Sequence, residues 1–153
     1  MNCHSKMDVF QQKEALKSFE ILVDTREQNT EKSRKRYGSF GVPYSKATLE
    51  FGDYTYNFML PNGKKLHDIS TTIKPLCAVE RKMNLDELAG CFTHGRQRFQ
   101  REFERASGNK SRIFLLCENA NWENLLNGKY RSKFNPKAFM ASVIAWEIRY
   151  NLC

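Results

Sequence analysis

Short apolar runs, separated by turn residues and charged clusters, recur along the chain and predict β-strands. We predict strands at residues 19–24, 46–52, 54–60, 76–81 and 112–117. The run at 112–117 is almost wholly apolar, which is typical of a central strand buried on both faces. Gly52 and Asp53 interrupt the second and third strands, so Asp53 is expected at a bend between two extended segments.

Helical patterns dominate the second half of the chain. Asn84 precedes an apolar-periodic segment and Glu87 stands three residues later, which predicts a capped helix start. A short helix is predicted at 122–126, and the Asn-Pro pair that opens residues 135–150 begins the last helix. Apolar residues of this last helix cover more than one stripe. It is therefore either buried in the core or leaves a face for a second subunit.

A further helix is predicted at residues 96–106, with its two phenylalanines and one alanine facing inward. Arg98, Arg101 and Arg105 lie along another face of it, at a spacing that suits contact with successive phosphates. Two glutamates in the same segment dilute the positive charge, so an ordinary solvated face remains an equal alternative.

Length and charge set the broad class of the protein. The chain has 153 residues, 41% hydrophobic and 27% charged, as expected for one folded domain. We expect a short helix or loose arm at 1–18 and the domain at 19–153. Lys and Arg outnumber Asp and Glu by 25 to 17, and nucleic acid is the simplest partner for the net charge of +8. The basic run at 31–36 is a solvated face, a weak nuclear-import-like patch or a contact for a nucleic-acid backbone.

The cysteines and the hydropathy pattern indicate a compartment. Five cysteines are widely spaced, form no Cys-x-x-Cys pair and follow no export signal. They predict free thiols in a reducing intracellular compartment, which is the cytoplasm or nucleoid, or the nucleus of a eukaryote. No apolar run is long enough to span a bilayer, so no membrane partner is expected.

The segment 77–82 (Cys-Ala-Val-Glu-Arg-Lys) carries the candidate chemistry. Side chains alternate along a strand, so Glu80 and Lys82 share one face while Arg81 takes the other. With Asp53 delivered from the preceding bend, two acids and one base would come together. Such a set can hold a hard divalent cation beside a phosphodiester.

Simpler explanations exist for these residues. Glu80 and Lys82 could form a surface ion pair, which contributes less than about 1 kcal/mol. Asp86, in the first turn of the helix that Asn84 caps, is either favoured by the helix dipole or a metal ligand. However, Asp24 also follows a buried strand directly, and converging carboxylates repel one another unless a cation is bound. The pattern therefore favours a ligand site.

Four ordered segments resemble the nuclease domain of the XPF-type structure-selective endonucleases. They are Val23-Asp24-Thr25-Arg26-Glu27, Leu49 with Gly52-Asp53-Tyr54, Val79-Glu80-Arg81-Lys82, and Asp86. The signature of that family is Gly-Asp followed by a Val-Glu-Arg-Lys-x-x-x-Asp block. The resemblance implies an α/β, restriction-endonuclease-like fold at 19–153, in which helices flank both faces of a mixed central β-sheet.

The resemblance also assigns roles to residues. Asp53 and Glu80 would be the principal metal-binding carboxylates and Lys82 the catalytic lysine. Asp24, at the rim of the same site, is counted with them as a catalytic and metal-binding acid. The other implied residues are Glu27 and Asp86 at the rim, and Arg26, Arg81, Arg96, Arg98 and Arg101 as DNA-binding residues.

The implied activity is a Mg²⁺-dependent DNA endonuclease, with Mn²⁺ as a substitute ion, acting on branched or flap structures in repair or recombination. The alternatives are a non-catalytic DNA-binding or partner subunit of the same fold, and a nuclease that acts on RNA or linear DNA ends. Family members commonly carry tandem helix-hairpin-helix modules, which are not seen in this sequence. We therefore expect either a heteromeric partner that supplies a DNA-binding module or a homodimer through the helix at 136–150.

Overall fold

The structure is a computed structural model that describes residues 6–152. Six helices and five strands lie in this range. In chain order they are α1 (Val9–Lys17), β1 (Glu20–Asp24), α2 (Glu31–Gly38), β2 (Tyr44–Ala47), β3 (Tyr54–Asn57), β4 (Cys77–Lys82), α3 (Leu85–Phe92), α4 (Arg96–Gly108), β5 (Arg112–Cys117), α5 (Trp122–Leu126) and α6 (Pro136–Tyr150).

The chain divides into two compact units. The first comprises the chain up to Leu49 together with Tyr54–Ile73, and the second comprises Glu50–Asp53 and the chain from Lys74 onward. The first unit therefore contains α1, α2 and strands β1 to β3. The second contains β4, β5 and helices α3 to α6.

Strand β1 is the middle strand of the first unit. It pairs in parallel with β2 and antiparallel with β3. Leu22 and Ala47 face the same side of this pair and meet Leu49 and Ile73 in a small apolar core. Burial of these four side chains removes apolar surface from water and so stabilises this unit.

The second unit is built on parallel pairing of β4 with β5, in which Lys82 lies opposite Cys117. Its helices enclose a core rich in aromatic rings. Trp146 of α6 is central to that core, since its ring centre lies 4.9 to 5.4 Å from those of Phe92, Phe99 and Phe103. Aromatic pairs at such distances add stability beyond the area that they bury.

The predicted α/β class with a mixed sheet is confirmed, because parallel and antiparallel strand pairs both occur. The helix starts at Asn84 and Asn135 are also confirmed, since each asparagine side chain accepts a backbone N–H from the first turn. Helix α2 was not predicted from its charged sequence. Thr30 begins it with a reciprocal capping box with Ser33, which satisfies two otherwise unpaired groups.

The predicted second strand, at 46–52, is wrong in its position. Strand β2 ends at Ala47, and the chain then leaves the ladder. The backbone N–H of Leu49 is taken by the carboxylate of Asp24 (3.1 Å), so it cannot continue a regular strand pairing. A buried carboxylate acceptor therefore replaces the strand that alternation alone predicted.

The prediction that β5 is buried on both faces is also wrong. Ile113 is 2% exposed, but Phe114 and Leu116 are 38% and 48% exposed. The strand lies at an edge of the sheet. An apolar run is compatible with either position, and periodicity could not distinguish them.

Within residues 6–152, no helix combines the length and the apolar character that crossing a bilayer requires.

Candidate active site

Strand β4 ends with a buried ion pair on one of its faces. Lys82 Nζ donates to Glu80 Oε1 at 2.5 Å. The side chains of Lys82 and Glu80 are only 12% and 4% exposed. The structure therefore places this pair inside the protein, where the electrostatic interaction is stronger than between surface charges.

Asp53 is brought beside this pair by a tight turn. The backbone N–H of Asp53 donates to the carbonyl of Val79 at 2.8 Å. Its Oδ2 accepts the backbone N–H of Arg81 at 2.7 Å. These two bonds fasten Asp53 to the residues on either side of Glu80, so the structure brings Asp53, Glu80 and Lys82 together.

Gly52 makes this close approach possible. Its φ is +78°, and a Cβ atom at this position would lie 2.6 Å from Cβ of Ala78. Glycine adopts that dihedral without strain and lacks the clashing atom. The Gly-Asp pair therefore serves backbone geometry as well as carboxylate chemistry.

The second carboxylate oxygen of Glu80 departs from the rule that buried polar atoms are hydrogen-bonded. Oε2 is buried and has no hydrogen-bond partner. Burial, together with the negative charges of Asp53 and Glu102, raises the pKa of the Glu80 carboxyl, and the attraction of Lys82 offsets this only in part. A buried, unpaired carboxylate oxygen costs free energy unless a donor or cation satisfies it.

Lys82 keeps its proton in this environment. Burial alone would lower the pKa of Lys82, but the charge of Glu80 and the hydrogen bond to it outweigh burial and raise that pKa. The ammonium also lies 5.2 Å from the centre of the Phe99 ring, whose face attracts cations. Lys82 is thus a fixed positive charge that has further N–H donors for an anion.

Asp53 and Glu80 offer the hard oxygen ligands that Mg²⁺ prefers. Among residues 6–152, no three His, Cys, Asp or Glu side chains are grouped so that they could hold a metal ion. Mg²⁺ usually keeps several waters and binds through one or two carboxylates together with substrate oxygens. Two carboxylates, one with an unpaired buried oxygen, therefore fit this ion.

Arg81 points to the opposite face of β4, where Glu118 holds it. Arg81 Nη2 lies 2.5 Å from Glu118 Oε2, and the Arg81 side chain is 12% exposed. Glu118 follows β5 directly, and its backbone N–H donates to the carbonyl of Lys82 at 2.8 Å. Contact of Arg81 with DNA stays a prediction, because its guanidinium is engaged within the protein.

Asp24 lies in the first unit with both of its carboxylate oxygens engaged. Oδ2 accepts from Arg26 Nε at 2.5 Å, and Oδ1 accepts the backbone N–H of Leu49. Arg26 also donates to the carbonyl of Leu49 at 2.8 Å, so these residues tie the end of β1 to the segment after β2. Glu27 lies 3.9 Å from Arg36. The roles predicted for Asp24, Arg26 and Glu27 stay predictions.

Asp86 fastens a loop to the start of α3. Its Oδ1 accepts the backbone N–H groups of Arg131 and Ser132, each at 2.7 Å. Its Oδ2 lies 3.6 Å from Nε of Arg131. These contacts give Asp86 a structural role, and a place at the rim of the site stays a prediction.

Helix α4 has the two faces that its sequence predicts. Phe99 and Phe103 are buried, whereas Arg96, Arg98 and Arg101 are exposed. The guanidinium of Arg96 lies 5.7 Å from the centre of a Trp146 ring. The exposed arginines are available to phosphates, and binding of DNA by them stays a prediction.

Sequence analysis missed Glu102, Phe99 and Glu118 as residues of this site. Glu118 could have been found, because it follows a strand parallel to β4 and such strands end at the same edge. The bond from Gly52 N–H to Glu102 Oε1 (2.8 Å) joins residues 50 positions apart. No local pattern could have indicated that pairing.

Comparisons with known proteins agree with this architecture. Residues 23–153 match the ERCC4 domain. Among solved structures, the fold is similar to XPF from Aeropyrum pernix, with a TM-score of 0.56 and 20% sequence identity, over 87% of this chain and 50% of that chain. The chain thus spans about half the length of that protein. None of the curated proteins compared with it matches its sequence. Because the matched domain covers most of the sequence, the resemblance to XPF-type nuclease domains is confirmed and the chain belongs to the ERCC4 domain family.

Proposed function

We propose that this chain is a metal-dependent endonuclease that hydrolyses phosphodiester bonds of DNA at branched or flap structures. The convergence of Asp53, Glu80 and Lys82 around an unpaired, buried carboxylate oxygen carries this proposal. Metal-assisted hydrolysis of phosphodiesters needs such acids together with a cationic group. Membership of the ERCC4 domain family supports the same chemistry.

In this proposal the protein places charge at fixed points. Asp53 and Glu80 are the residues that would hold Mg²⁺, or Mn²⁺ in its place. Lys82 keeps its proton on Nζ and would donate to a phosphate oxygen, which offsets negative charge as it accumulates there. When bound, a divalent cation supplies Lewis acidity toward water and phosphate oxygens.

Helix α4 would guide the substrate to these residues. It carries exposed Arg96, Arg98 and Arg101, and its Phe99 contacts Lys82. Positive side chains on a helix that already contacts the site could bind phosphates next to the scissile one. A DNA substrate implies an intracellular location.

The cysteines fit a reducing compartment. Cys91 and Cys117 are free thiols, and burial raises the pKa of each. Both are therefore protonated and weakly reactive near neutral pH. Cys3 and Cys153 lie outside the described residues.

Selectivity for branched DNA is the finer part of the proposal, and we assign it to a partner. A heteromeric subunit could supply a DNA-binding module. Alternatively, a second copy could dock on α6, where Ile144 and Ile148 are 44% and 79% exposed. Exposed apolar side chains on one helix support such a contact.

The experiment that tests the function is incubation with labelled flap, fork, nicked and linear DNA, each with Mg²⁺ or with EDTA. We expect cleavage of branched substrates that EDTA abolishes. Tight binding without cleavage would instead indicate a non-catalytic subunit. Cleavage of linear ends or of RNA would indicate a nuclease with another substrate.

The Asp53→Asn and Glu80→Gln variants test the site directly. Each keeps the size of the side chain but removes the charge that would hold the cation, so we expect metal-dependent cleavage to be lost while the circular dichroism spectrum is unchanged. Glu123→Gln is the matched control, because that side chain is 77% exposed. Wild-type nicking by either site variant would refute the mechanism.

A further inference from the structure

A third carboxylate reaches the candidate active site from helix α4. Glu102 is half-buried, and its Oε1 accepts the backbone N–H of Gly52 at 2.8 Å. A hydrogen bond to an ionised acceptor is roughly twice as strong as one between neutral groups. This contact therefore helps to fix the orientation of the peptide group between Phe51 and Gly52.

Gly52 is the residue whose conformation directs Asp53. It has no side chain that could be held by packing, and the nearby Cβ of Ala78 leaves no room for one. Its N–H group is what remains to fix the turn, and Glu102 binds it. Strand β4 holds Asp53 from the other side. Glu102 thus fixes the peptide group before Gly52, and β4 fixes the peptide group that follows it and carries Asp53.

Helix α4 makes a second contact with the same site one turn earlier. Phe99 precedes Glu102 by three positions, so the two side chains lie on adjacent turns of one face. The Phe99 ring lies beneath the ammonium of Lys82. It is itself packed against Phe103 and Trp146, with ring centres 4.7 and 5.2 Å away. One rigid helix therefore supports both the lysine and the turn that carries the acid.

The charge of Glu102 argues for a function beyond packing. An apolar side chain would serve packing without this cost, because the negative charge of Glu102 disfavours the ionised form of Glu80. The described residues contain no group of three acids arranged as metal ligands. The contact that the structure gives Glu102 is with the N–H of Gly52, so its effect on the site is transmitted through that glycine.

We propose that Glu102 is a positioning residue for the metal centre, which holds the Asp53 carboxylate in its binding geometry through the N–H of Gly52. This inference rests on the proposed function, because it requires that Asp53 and Glu80 bind a divalent cation. It extends that function by assigning the preorganisation of the centre to α4.

Binding of Mn²⁺ followed by electron paramagnetic resonance tests the proposal without relying on cleavage. We expect Glu102→Ala to weaken Mn²⁺ binding about 10–100-fold, the range for residues that orient metal ligands. Glu102→Met should do the same while preserving the packing of the stem. Glu102→Gln, which keeps an acceptor oxygen, should restore most of the affinity.

Glu104→Ala is the matched control. Glu104 lies on the same helix, is exposed and accepts from the side chain of Gln100 at 2.7 Å. We expect wild-type Mn²⁺ affinity in this variant. Hydrogen exchange gives a metal-free readout, because the Gly52 amide should exchange faster in Glu102→Ala and Glu102→Met than in the wild type.

The outcomes separate this inference from the proposed function. Wild-type Mn²⁺ affinity in Glu102→Met would overturn the inference, and so would a Glu102→Gln variant as weak as Glu102→Ala. If the wild type binds Mn²⁺ but cleaves no DNA, the proposed activity fails and the variant series still decides the role of Glu102. If the wild type binds no Mn²⁺, both fail.

Discussion

Gly52 combines two constraints on a single residue. Its positive φ excludes side chains on grounds of backbone strain, and the proximity of Ala78 excludes them on grounds of space. Gly63 shares only the first constraint, because its φ is +76° and no atom lies within 4 Å of an added Cβ. Comparison of the two glycines can therefore separate strain from collision.

We expect Gly52→Ala to destabilise the protein more than Gly63→Ala does. An alanine forced into the left-handed backbone conformation loses about 1–2 kcal/mol of stability. Both variants incur this loss. The contact with Ala78 should add roughly 1–3 kcal/mol at position 52 alone, as overpacking does. Urea denaturation measures both free energies of unfolding, and equal losses would contradict the close approach described above.

The sequence predicted that Asp53, Glu80 and Lys82 lie close together, but it did not predict what surrounds them. The proximity of Asp53, Glu80 and Lys82 could be predicted because strand alternation and a bend at glycine are signals in neighbouring residues. The hydrogen bonds that engage Asp24 and Asp86 depend on distant backbone groups. Such pairings arise from tertiary structure, so they have no signature in neighbouring residues.

Strand β5 shows why the character of an element is harder to predict than its existence. Its bounds, 112–117, were predicted correctly from the apolar run. Its environment was not, because an edge strand with exposed Phe114 and Leu116 has the same composition as a central one. Exposed apolar residues on an edge strand favour association with other chains.

Two truncations on β5 test this assignment. Ile113→Ala should lower the free energy of unfolding by about 2–5 kcal/mol, because it leaves a cavity in the core. Leu116→Ala should change it by less than about 0.5 kcal/mol, as expected for a surface position. Chemical denaturation of a dilute sample gives both values. A large loss for Leu116→Ala would restore the prediction of a strand buried on both faces.

Strand β1 contains a buried acid that links stability to pH. Burial alone would raise the pKa of Glu20, but an ion pair with Lys65 and hydrogen bonds from Ser45 and Asn57 outweigh it and lower the pKa. When the pKa of an acid is lower in the folded state than in the unfolded state, the acid stabilises the fold at pH values above its unfolded-state pKa. That contribution is lost as the pH falls through the folded value.

We therefore expect the wild type to lose stability on acidification from about pH 5 downward, the range in which an ordinary glutamate begins to take up protons. Glu20→Gln should be less stable at pH 6 and should show a shallower loss below pH 5. Urea midpoints between pH 6 and pH 3 measure this. Parallel pH profiles for the two proteins would show that Glu20 is not the group responsible.

The whole molecule carries a charge of +8, which bears on how it would bind DNA. Cationic side chains that contact phosphates displace counterions from the DNA. The logarithm of the binding constant therefore falls linearly with the logarithm of the salt concentration. The proposed DNA contacts on α4 are concentrated in a few exposed arginines. The slope of this salt dependence measures how many phosphate contacts these arginines make.

We expect Arg98→Gln and Arg101→Gln each to reduce the slope of log affinity against log salt by about one. The Arg149→Gln control removes an equal charge from α6, and the slope should stay as in the wild type. Fluorescence anisotropy with labelled duplex, in EDTA so that no cleavage occurs, measures all three. A slope that changes equally in every variant would indicate that total charge, and not α4, governs binding.

For the molecule as a whole, the alternation of strand and helix signals was enough to predict the α/β class. The division into two units was not predicted. That division depends on Glu50–Asp53, which packs with residues that follow it much later in the chain. Phe51 holds this segment to the later residues, because its side chain is 0% exposed in the core of the second unit. One apolar residue among turn residues is too weak a signal to reveal it.

The path of Glu50–Asp53 also limits how the protein can be dissected. Since this segment belongs to the second unit while both of its flanks belong to the first, no single cut in the chain releases a complete unit. A fragment that starts at Lys74 would retain the glutamate and lysine but lose the aspartate. Separate expression of the two halves would therefore divide the proposed metal ligands between two pieces, and the proposed cleavage would require that the pieces reassociate.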